Sequence, residues 1–565
     1  MEEFFQDAPR LGNPYDADPV LRQLLARLLG DEVLAEVEPG LRSLGERAAG
    51  EMLALAAAAE AREPRHVAYD AWGRRVDRIE TSPAWDRLHA IAAEEGIVAT
   101  AYERRHGPLS RVHQFARLYL FHPSSALVSC PLAMTDGAAR LLALEGDEDL
   151  RARVVPRLTS RDPARLWTSG QWMTERAGGS DVGRTATVAR PDGAGGYRLS
   201  GVKWFTSATT AEMALTLARI EGAPEGSRGL SVFCVELRDE AGRLRGIEVL
   251  RLKEKLGTRA LPTAELALCD TPARLVGAPG RGVATIATLL NVTRLYNACC
   301  ACGYLARALQ LARDYARRRE AFGRPLAAHP LHVETLAALA AEHAGALQLT
   351  FRAAELCGRE ETGAAREEEI ALLRLVTPLA KALTGKQAVA GVSEALECFG
   401  GAGYLEETGL PALLRDAQVL PIWEGTTNVL ALDLLRAMAK GAGLAPLVAD
   451  LERQLAAVRA PELVETVHRL RQSAGALQAW FRHAGGDGAR LTAGARAFAL
   501  GLARAYAGAL LATQADWELA RGDGAVALAL ARRWAEGHLG AAPGAAAADP
   551  AGALRLVFPD REGAA

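Results

Sequence analysis

Glu424 stands between a tryptophan and a glycine in Pro421-Ile422-Trp423-Glu424-Gly425-Thr426-Thr427-Asn428. A carboxyl group in so apolar a setting is a candidate for a raised pKa, and a base of that kind can take a proton near neutral pH. The plain alternative is a glutamate that starts a helix, where the helix dipole favours an acid. Four other segments carry residue types that can bind. Trp172-Met173-Thr174-Glu175-Arg176-Ala177-Gly178-Gly179-Ser180-Asp181 joins two glycines to hydroxyls and free N–H groups, which suits a phosphate or the rim of a flat cofactor. Taken alone, Gly-Gly-Ser-Asp is also an ordinary turn. In Gly201-Val202-Lys203-Trp204-Phe205-Thr206-Ser207, strand alternation puts Trp204 and Thr206 on one face, an indole wall beside a hydroxyl. A core Trp with an incidental Thr reads equally well there. Arg317-Arg318-Arg319-Glu320-Ala321-Phe322-Gly323-Arg324-Pro325 ends a helix; its cations suit the negative helix terminus or a pyrophosphate gripped bidentately. The last segment is Glu397-Cys398-Phe399-Gly400-Gly401-Ala402-Gly403-Tyr404.

The elements that must hold these segments follow from hydrophobic period. Residues 1–165 carry apolar residues at three- and four-residue spacing and read mainly as helices, for example DPVLRQLLARLLGDEVLAEV. From 166 to 280 the texture changes to short β-rich runs between Gly, Asp and Pro turns: GYRLSGVKWFTSA, MALTLARI, GLSVFCVELRD, GIEVLRL and AELALCD. That pattern predicts an antiparallel sheet or barrel. Helical periodicity returns over 281–440, with segments 284–319, 331–358, 366–398 and 424–440 forming a four-helix bundle. Residues 441–565 read as an additional helical domain ending in a flexible Ala-rich tail, AAPGAAAADPAGA. The fold class is α+β and multidomain.

The five segments together, in this order, resemble the acyl-CoA dehydrogenase family. The resemblance implies an N-terminal α domain, a middle β-barrel and a C-terminal four-helix bundle, one FAD per subunit, and a homotetramer. Met173-Thr174 and Gly179-Ser180 fall on the family's TEPGAGSD segment, with Arg176-Ala177-Gly178 replacing Pro-Gly-Ala. Trp204-Phe205-Thr206 falls on its WIT motif. Arg319 and Phe322 match RxxFG, which reaches the FAD of a neighbouring subunit. Glu397 stands where most members have Gln, ahead of the double glycine Gly400-Gly401. Thr426 and Asn428 fall on FAD-contacting positions. Ser180, Asn291, Arg294 and Gly425 fall on substrate-binding positions, Asn291 replacing the Asp of an Asp-x-x-Arg pair. Glu424 falls on the glutamate base, with Trp423 replacing its tyrosine. Tyr69-Asp70-Ala71-Trp72-Gly73-Arg74-Arg75, Pro83-Ala84-Trp85, Cys130-Pro131-Leu132-Ala133-Met134-Thr135 and the extra C-terminal domain resemble the AidB-like branch, which includes the bacterial alkylation-response protein and animal long-chain acyl-CoA-binding relatives.

The implied reaction is α,β-dehydrogenation of an acyl-CoA, with an electron-transfer flavoprotein as acceptor. Two other readings stand beside it: a flavin-bearing acyl-CoA binder or sensor with little turnover, and a DNA-protective protein. Composition bears on the last. The chain has 565 residues and a net charge of −2, and residues 441–565 hold 13 Arg and no Lys against 12 Asp plus Glu. So balanced a charge supplies little phosphate attraction, and nucleic acid is not an expected partner. Only six lysines occur, so Lys203, Lys253 and Lys255 stand out among the arginines. The eight cysteines include no CxxC; Cys299, Cys300 and Cys302 crowd one helix and read as reduced core residues, not metal ligands. MEEFFQDAPRLGNPYD has no apolar stretch of signal-peptide type. Arg breaks every apolar helical run short of the length that a membrane span needs. The expectation is a cytoplasmic protein without a membrane span.

Overall fold

The computed structural model describes residues 7–544 and 550–557. The chain folds into two compact units. One comprises residues 40–105 and 113–296; the other comprises residues 1–39, 106–112 and 297–565.

The first unit holds the β-barrel. Strands Met213–Ile220, Val188–Pro191, Tyr197–Ser207, Thr263–Val276 and Leu230–Glu236 pair in that order, and the last pairs back to the first, so the sheet closes. Ile247–Leu252 adds to Thr263–Val276. Closure leaves this five-strand ring no free edge, which removes the usual liability of an exposed strand. The five β-rich runs of the sequence all form strands. Two further strands, Ser169–Trp172 and Val188–Pro191, have only four residues each. Both pair parallel to Met213–Ile220, so the sheet is mixed and not wholly antiparallel. Four residues are too few to show a period, and parallel pairing between distant segments leaves no turn signal. Leu199, Met213, Leu215, Val232, Phe233 and Leu266 are buried in one core cluster with the strands' other apolar residues.

Helices Pro83–Glu94, Ser110–Phe121 and Ser129–Glu145 carry much of the predicted N-terminal helical region. It also contains an unexpected hairpin, Arg65–Tyr69 with Arg75–Glu80. The turn of that hairpin is the Tyr69–Arg75 segment, with Gly73 at φ 77° and Trp72 exposed.

The second unit is helical. Helix Gly282–Arg318 enters it at Asn297, and helices Pro330–Glu361, Glu367–Glu397 and Thr427–Lys440 complete the four segments read from the sequence. Helices Ala445–Ala457, Val464–Ala484, Gly488–Ala520 and Ala525–Gly537 pack on them. A Cβ at Gly345 would stand 2.2 Å from the Trp534 ring, so the bundle and the added helices meet there through a glycine. Arg352 donates to the buried Asp450 at 3.0 Å, and the Tyr506 hydroxyl donates to the same carboxylate. Part of the predicted flexible tail, residues 545–549, lies outside the described residues. Residues 541–544 have no regular structure, while 550–553 depart from the expectation, since Pro550–Val557 is a helix.

The eight cysteines are free, and Cys299, Cys300 and Cys302 are buried. Burial pushes the Cys302 thiol up to about 12 and the Cys299 thiol well above its usual value, which keeps both as inert neutral thiols. Among the described residues, no helix is long and apolar enough to cross a membrane, and no group of three or more His, Cys, Asp or Glu could hold a metal ion.

Candidate active site

The barrel unit organises the Trp172–Asp181 segment around a buried ion pair. Lys203 is wholly buried; its Nζ donates to Glu175 Oε1 at 2.7 Å and to the Leu217 carbonyl at 2.8 Å. Glu175 also accepts from the Ala186 N–H at 2.7 Å and from the Thr187 hydroxyl at 2.6 Å. Burial pushes the Glu175 carboxyl up, but Lys203 and these donors outweigh it and hold the carboxyl below its usual value. Burial pushes the Lys203 ammonium down, and Glu175 offsets part of that. With Glu175 so anchored, its N–H and carbonyl exchange hydrogen bonds with Gly178 across the Arg176-Ala177 turn. The Trp204 N–H donates to the Thr174 carbonyl at 2.9 Å, and a Cβ at Gly179 would stand 3.1 Å from the Thr174 side chain. Thr174, Gly179 and Trp204 are thereby brought together. Ser180 is exposed, and Met173 is buried behind the loop.

Two cations lie against the Trp204 ring. Lys253 Nζ is 3.5 Å from its ring centroid and 4.5 Å from that of Phe205, while Arg176 Cζ is 5.0 Å from the indole. Lys253 is itself held by Glu265 at 2.8 Å. Cations over an indole face fix its plane. In the sequence Lys253 stands out only by its rarity, and Arg176 only as a departure from the family pattern.

Thr206 does not share a face with Trp204 as alternation predicts. The pairing of Tyr197–Ser207 with Thr263–Val276 slips between Lys203 and Thr206, where three residues on one strand span two on the other. This bulge puts Trp204 and Phe205 together on the Lys253 side and returns Thr206 to the buried side with Lys203. The Thr206 hydroxyl donates to the Ala264 carbonyl at 2.7 Å, which leaves its oxygen lone pairs as its remaining hydrogen-bonding capacity. In the same unit, Asn291 is exposed and Arg294 half-buried on helix Gly282–Arg318.

The helical unit positions Glu424 on a turn of unusual backbone. Glu424 has φ 56° and Gly425 φ 102°, two successive left-handed residues of which the first is not glycine. Such a residue costs about 1–3 kcal/mol and persists only when its surroundings hold it. On one side, the Ile422 and Trp423 N–H groups donate to the Val419 carbonyl at 2.9 and 3.1 Å. On the other, the Thr426 hydroxyl caps helix Thr427–Lys440 by accepting from the Val429 N–H at 3.4 Å. The wholly buried Lys381 donates to the Gly425 carbonyl at 2.5 Å. Asn428 accepts from Arg496 at 3.1 Å, and the Trp423 indole N–H is buried without a hydrogen-bond partner among the described residues. The sequence reading did not single out Lys381, although it is one of only six lysines.

Elsewhere in this unit, Glu320–Ala321 and Arg324–Pro325 form a hairpin whose turn residues, Phe322 and Gly323, have φ 52° and 76°. Positive φ at both central residues is what a type I′ turn requires. It leaves the Phe322 ring 97% exposed, the most outward of the large apolar side chains among the described residues. The Tyr315 and Phe399 rings pack at 4.6 Å and join the end of helix Gly282–Arg318 to the Glu397–Gly401 segment, where Glu397, Gly400 and Gly401 are exposed. Arg319 follows that helix directly, its N–H donating to the Tyr315 carbonyl at 2.8 Å.

Known families match the chain in four successive stretches. The AidB adaptive response protein N-terminal domain matches residues 8–163, and the acyl-CoA dehydrogenase middle domain 170–271. The acyl-CoA dehydrogenase C-terminal domain matches 280–439, and a domain like the C-terminal one of acyl-CoA dehydrogenase 11 matches 444–549. Acyl-CoA dehydrogenase family member 11 of Caenorhabditis elegans is 51% identical over 442 residues, covering 77% of this chain and 72% of that protein. Putative acyl-CoA dehydrogenase AidB of Escherichia coli is 34% identical over 428 residues, covering 73% and 76%. The crystal structure of Caenorhabditis elegans ACDH-11 in complex with C11-CoA matches with a TM-score of 0.96 and 42% identity, covering 100% of this chain and 98% of that one. By sequence, by domain order and by fold, this chain belongs to the acyl-CoA dehydrogenase family, a family of FAD-using oxidoreductases, and to its AidB-like branch.

Proposed function

We propose that this protein dehydrogenates an acyl-CoA thioester at its α and β carbons, with Glu424 as the base that removes the α-proton. The observation that carries the reading is the Glu424–Gly425 turn. A non-glycine residue held at φ 56°, tied down on both sides, is the kind of strain that a site retains for geometry. A thioester α-proton is weakly acidic, so its removal needs the developing enolate oxygen to be stabilised. Backbone N–H groups of the Glu424 turn are suited to that task.

The residues present fit FAD. Trp204, with Arg176 and Lys253 against its ring, offers a flat wall, and the Thr174–Ser180 loop offers hydroxyls and a glycine-lined approach. The unpartnered Trp423 N–H and the outward Phe322 ring are groups that await a neighbour. Within the barrel unit, Met173, Thr174, Gly179, Ser180, Trp204, Phe205 and Thr206 are the residues assigned to the cofactor; within the helical unit, Thr426 and Asn428 are. Arg319, Phe322, Glu397, Gly400 and Gly401 would serve the cofactor of an adjoining subunit in a homotetramer. When bound, FAD supplies the hydride acceptor for the β-carbon. Within the barrel unit, Asn291, Arg294 and Ser180 are the residues assigned to the substrate; within the helical unit, Gly425 is. Asn291 keeps a hydrogen-bonding amide but lacks the negative charge of the aspartate it replaces, which changes the polar contacts it can offer a substrate. The C11-CoA bound by the Caenorhabditis elegans relative supports an acyl-CoA as the ligand of this site. An electron-transfer flavoprotein would reoxidise the enzyme, and the setting would be the cytoplasm.

The test is anaerobic titration of the purified yellow protein with a panel of acyl-CoAs. Bleaching of the flavin absorbance by one or more of them is the expected result. Tight binding with no bleaching by any member would replace the dehydrogenase reading with that of an acyl-CoA binder.

A further inference from the structure

Lys381 lies in the middle of helix Glu367–Glu397, wholly buried, and reaches across 44 residues of chain to the Gly425 carbonyl. Burying an ammonium is costly, and a chain with six lysines against about sixty arginines has kept one here. An arginine would bring a wide planar fork, whereas a lysine brings a compact point charge to the Gly425 carbonyl. The same helix face meets the turn a second time. A Cβ at Gly385, one helical turn on, would stand 3.2 Å from the Leu420 carbonyl and the Pro421 nitrogen. Helix Glu367–Glu397 therefore touches both ends of the Pro421–Gly425 loop, by close backbone approach at one end and by an ammonium at the other.

We propose that Lys381 is a positioning residue for Glu424, an inference that rests on the reading of Glu424 as base. The Gly425 carbonyl follows directly on the two left-handed residues, and its direction fixes the rotation of the Gly425–Thr426 peptide. The Ile422 and Trp423 N–H groups, bonded to the Val419 carbonyl, hold the other side of the loop, and the Lys381 bond holds this one. Holding the carbonyl holds the direction in which the Glu424 side chain leaves the backbone. Removing the ammonium removes one restraint on the left-handed backbone of Glu424, and relaxation of that backbone would carry the carboxylate away from the α-carbon. Misplacement by about 1 Å can cost about 10²-fold in rate.

The experiment reads proton abstraction alone. A 3-thia-acyl-CoA has sulfur in place of the β-carbon, so it cannot be dehydrogenated, yet its α-protons exchange in D2O when a base reaches them. Exchange is followed by NMR for the parent, Lys381→Met and Lys381→Gln, with analogue affinity and Tm measured on each. The expected result is a fall of about 10²-fold in exchange for Lys381→Met, with affinity within about twofold of the parent. Lys381→Gln, which keeps a neutral N–H donor, should recover part of the rate. Parent-like exchange in Lys381→Met overturns the proposal, and so does an equal loss of exchange and affinity, which would mark a general structural defect. If Lys381→Met does not fold, Lys381→Gln is read by the same criteria, and failure of both to fold assigns Lys381 to stability and overturns the proposal. A parent that exchanges no α-proton fails at an earlier point, since the assignment of Glu424 as base then falls first and takes this inference with it.

Discussion

Glu424→Gln changes one oxygen to an NH2 group and leaves the shape of the side chain. Both residues carry the same penalty at φ 56°, so the strain of the turn is unchanged. The Lys381 bond is made to a backbone carbonyl and the Thr426 cap to a backbone N–H, so neither depends on the carboxylate. The turn should therefore keep its conformation in the variant. Acyl-CoA affinity should hold, because Ser180 and Arg294 are untouched. The loss falls on proton transfer, since an amide cannot accept the α-proton. Removing a general base costs about 10²–10⁴-fold, which is about 2.7–5.5 kcal/mol at about 1.36 kcal/mol per tenfold. If proton and hydride leave in one step, the loss will be at the upper end. The assay is stopped-flow flavin absorbance under anaerobic conditions at saturating acyl-CoA, with affinity measured separately. Equal reduction rates in variant and parent would refute Glu424 as base. A loss of affinity as large as the loss of rate would refute the claim that binding and abstraction are carried by different groups.

Breaking the buried Glu175–Lys203 pair by Glu175→Gln should destabilise the barrel unit by about 3–5 kcal/mol, because it leaves an ammonium buried without its counter-charge. Lys203→Met added to it should cost less than the two single changes summed, and strict additivity of the Tm losses would show that the pair is not coupled. Glu342 accepts from His538 at 2.6 Å and from Arg504 at 2.9 Å; burial pushes its carboxyl up, but these partners outweigh it and bring it from 4.5 down to about 2. A depressed carboxyl stabilises the fold above its unfolded value and loses that contribution as pH falls through its folded value. The Tm gap between parent and Glu342→Gln should thus be full at neutral pH and shrink from about pH 4.5 toward about pH 2 in scanning calorimetry; a gap that is constant through that range would refute the assignment. The full chain should show no salt-sensitive binding to duplex DNA at physiological ionic strength, given 13 Arg against 12 acids over residues 441–565. Micromolar affinity falling steeply with added salt in fluorescence anisotropy would reveal a clustered arginine face.

The sequence by itself determined whatever is written in local period and local spacing. Helical repeats fixed the segments 284–319, 331–358 and 366–398 to within a few residues of helices Gly282–Arg318, Pro330–Glu361 and Glu367–Glu397. Five runs of β-type residues between turn residues became five strands of the barrel. The order of short motifs pointed to the family, because each motif is contiguous and its residues need no partner to be recognised. Tertiary structure decided what depends on pairs distant in sequence. Ser169–Trp172 and Val188–Pro191 are strands only because Met213–Ile220 lies beside them. The bulge that turns Thr206 away from Trp204 arises in the register with Thr263–Val276, and no period within one strand can show a slip against another. Arg176 and Lys253 meet at Trp204 from well before it and well after it in the chain. Lys381 finds Gly425 across 44 residues. In the sequence that lysine is one apolar-flanked cation on a helix. Burial, which only the packed fold creates, makes its single compact charge worth keeping beside the turn that carries Glu424.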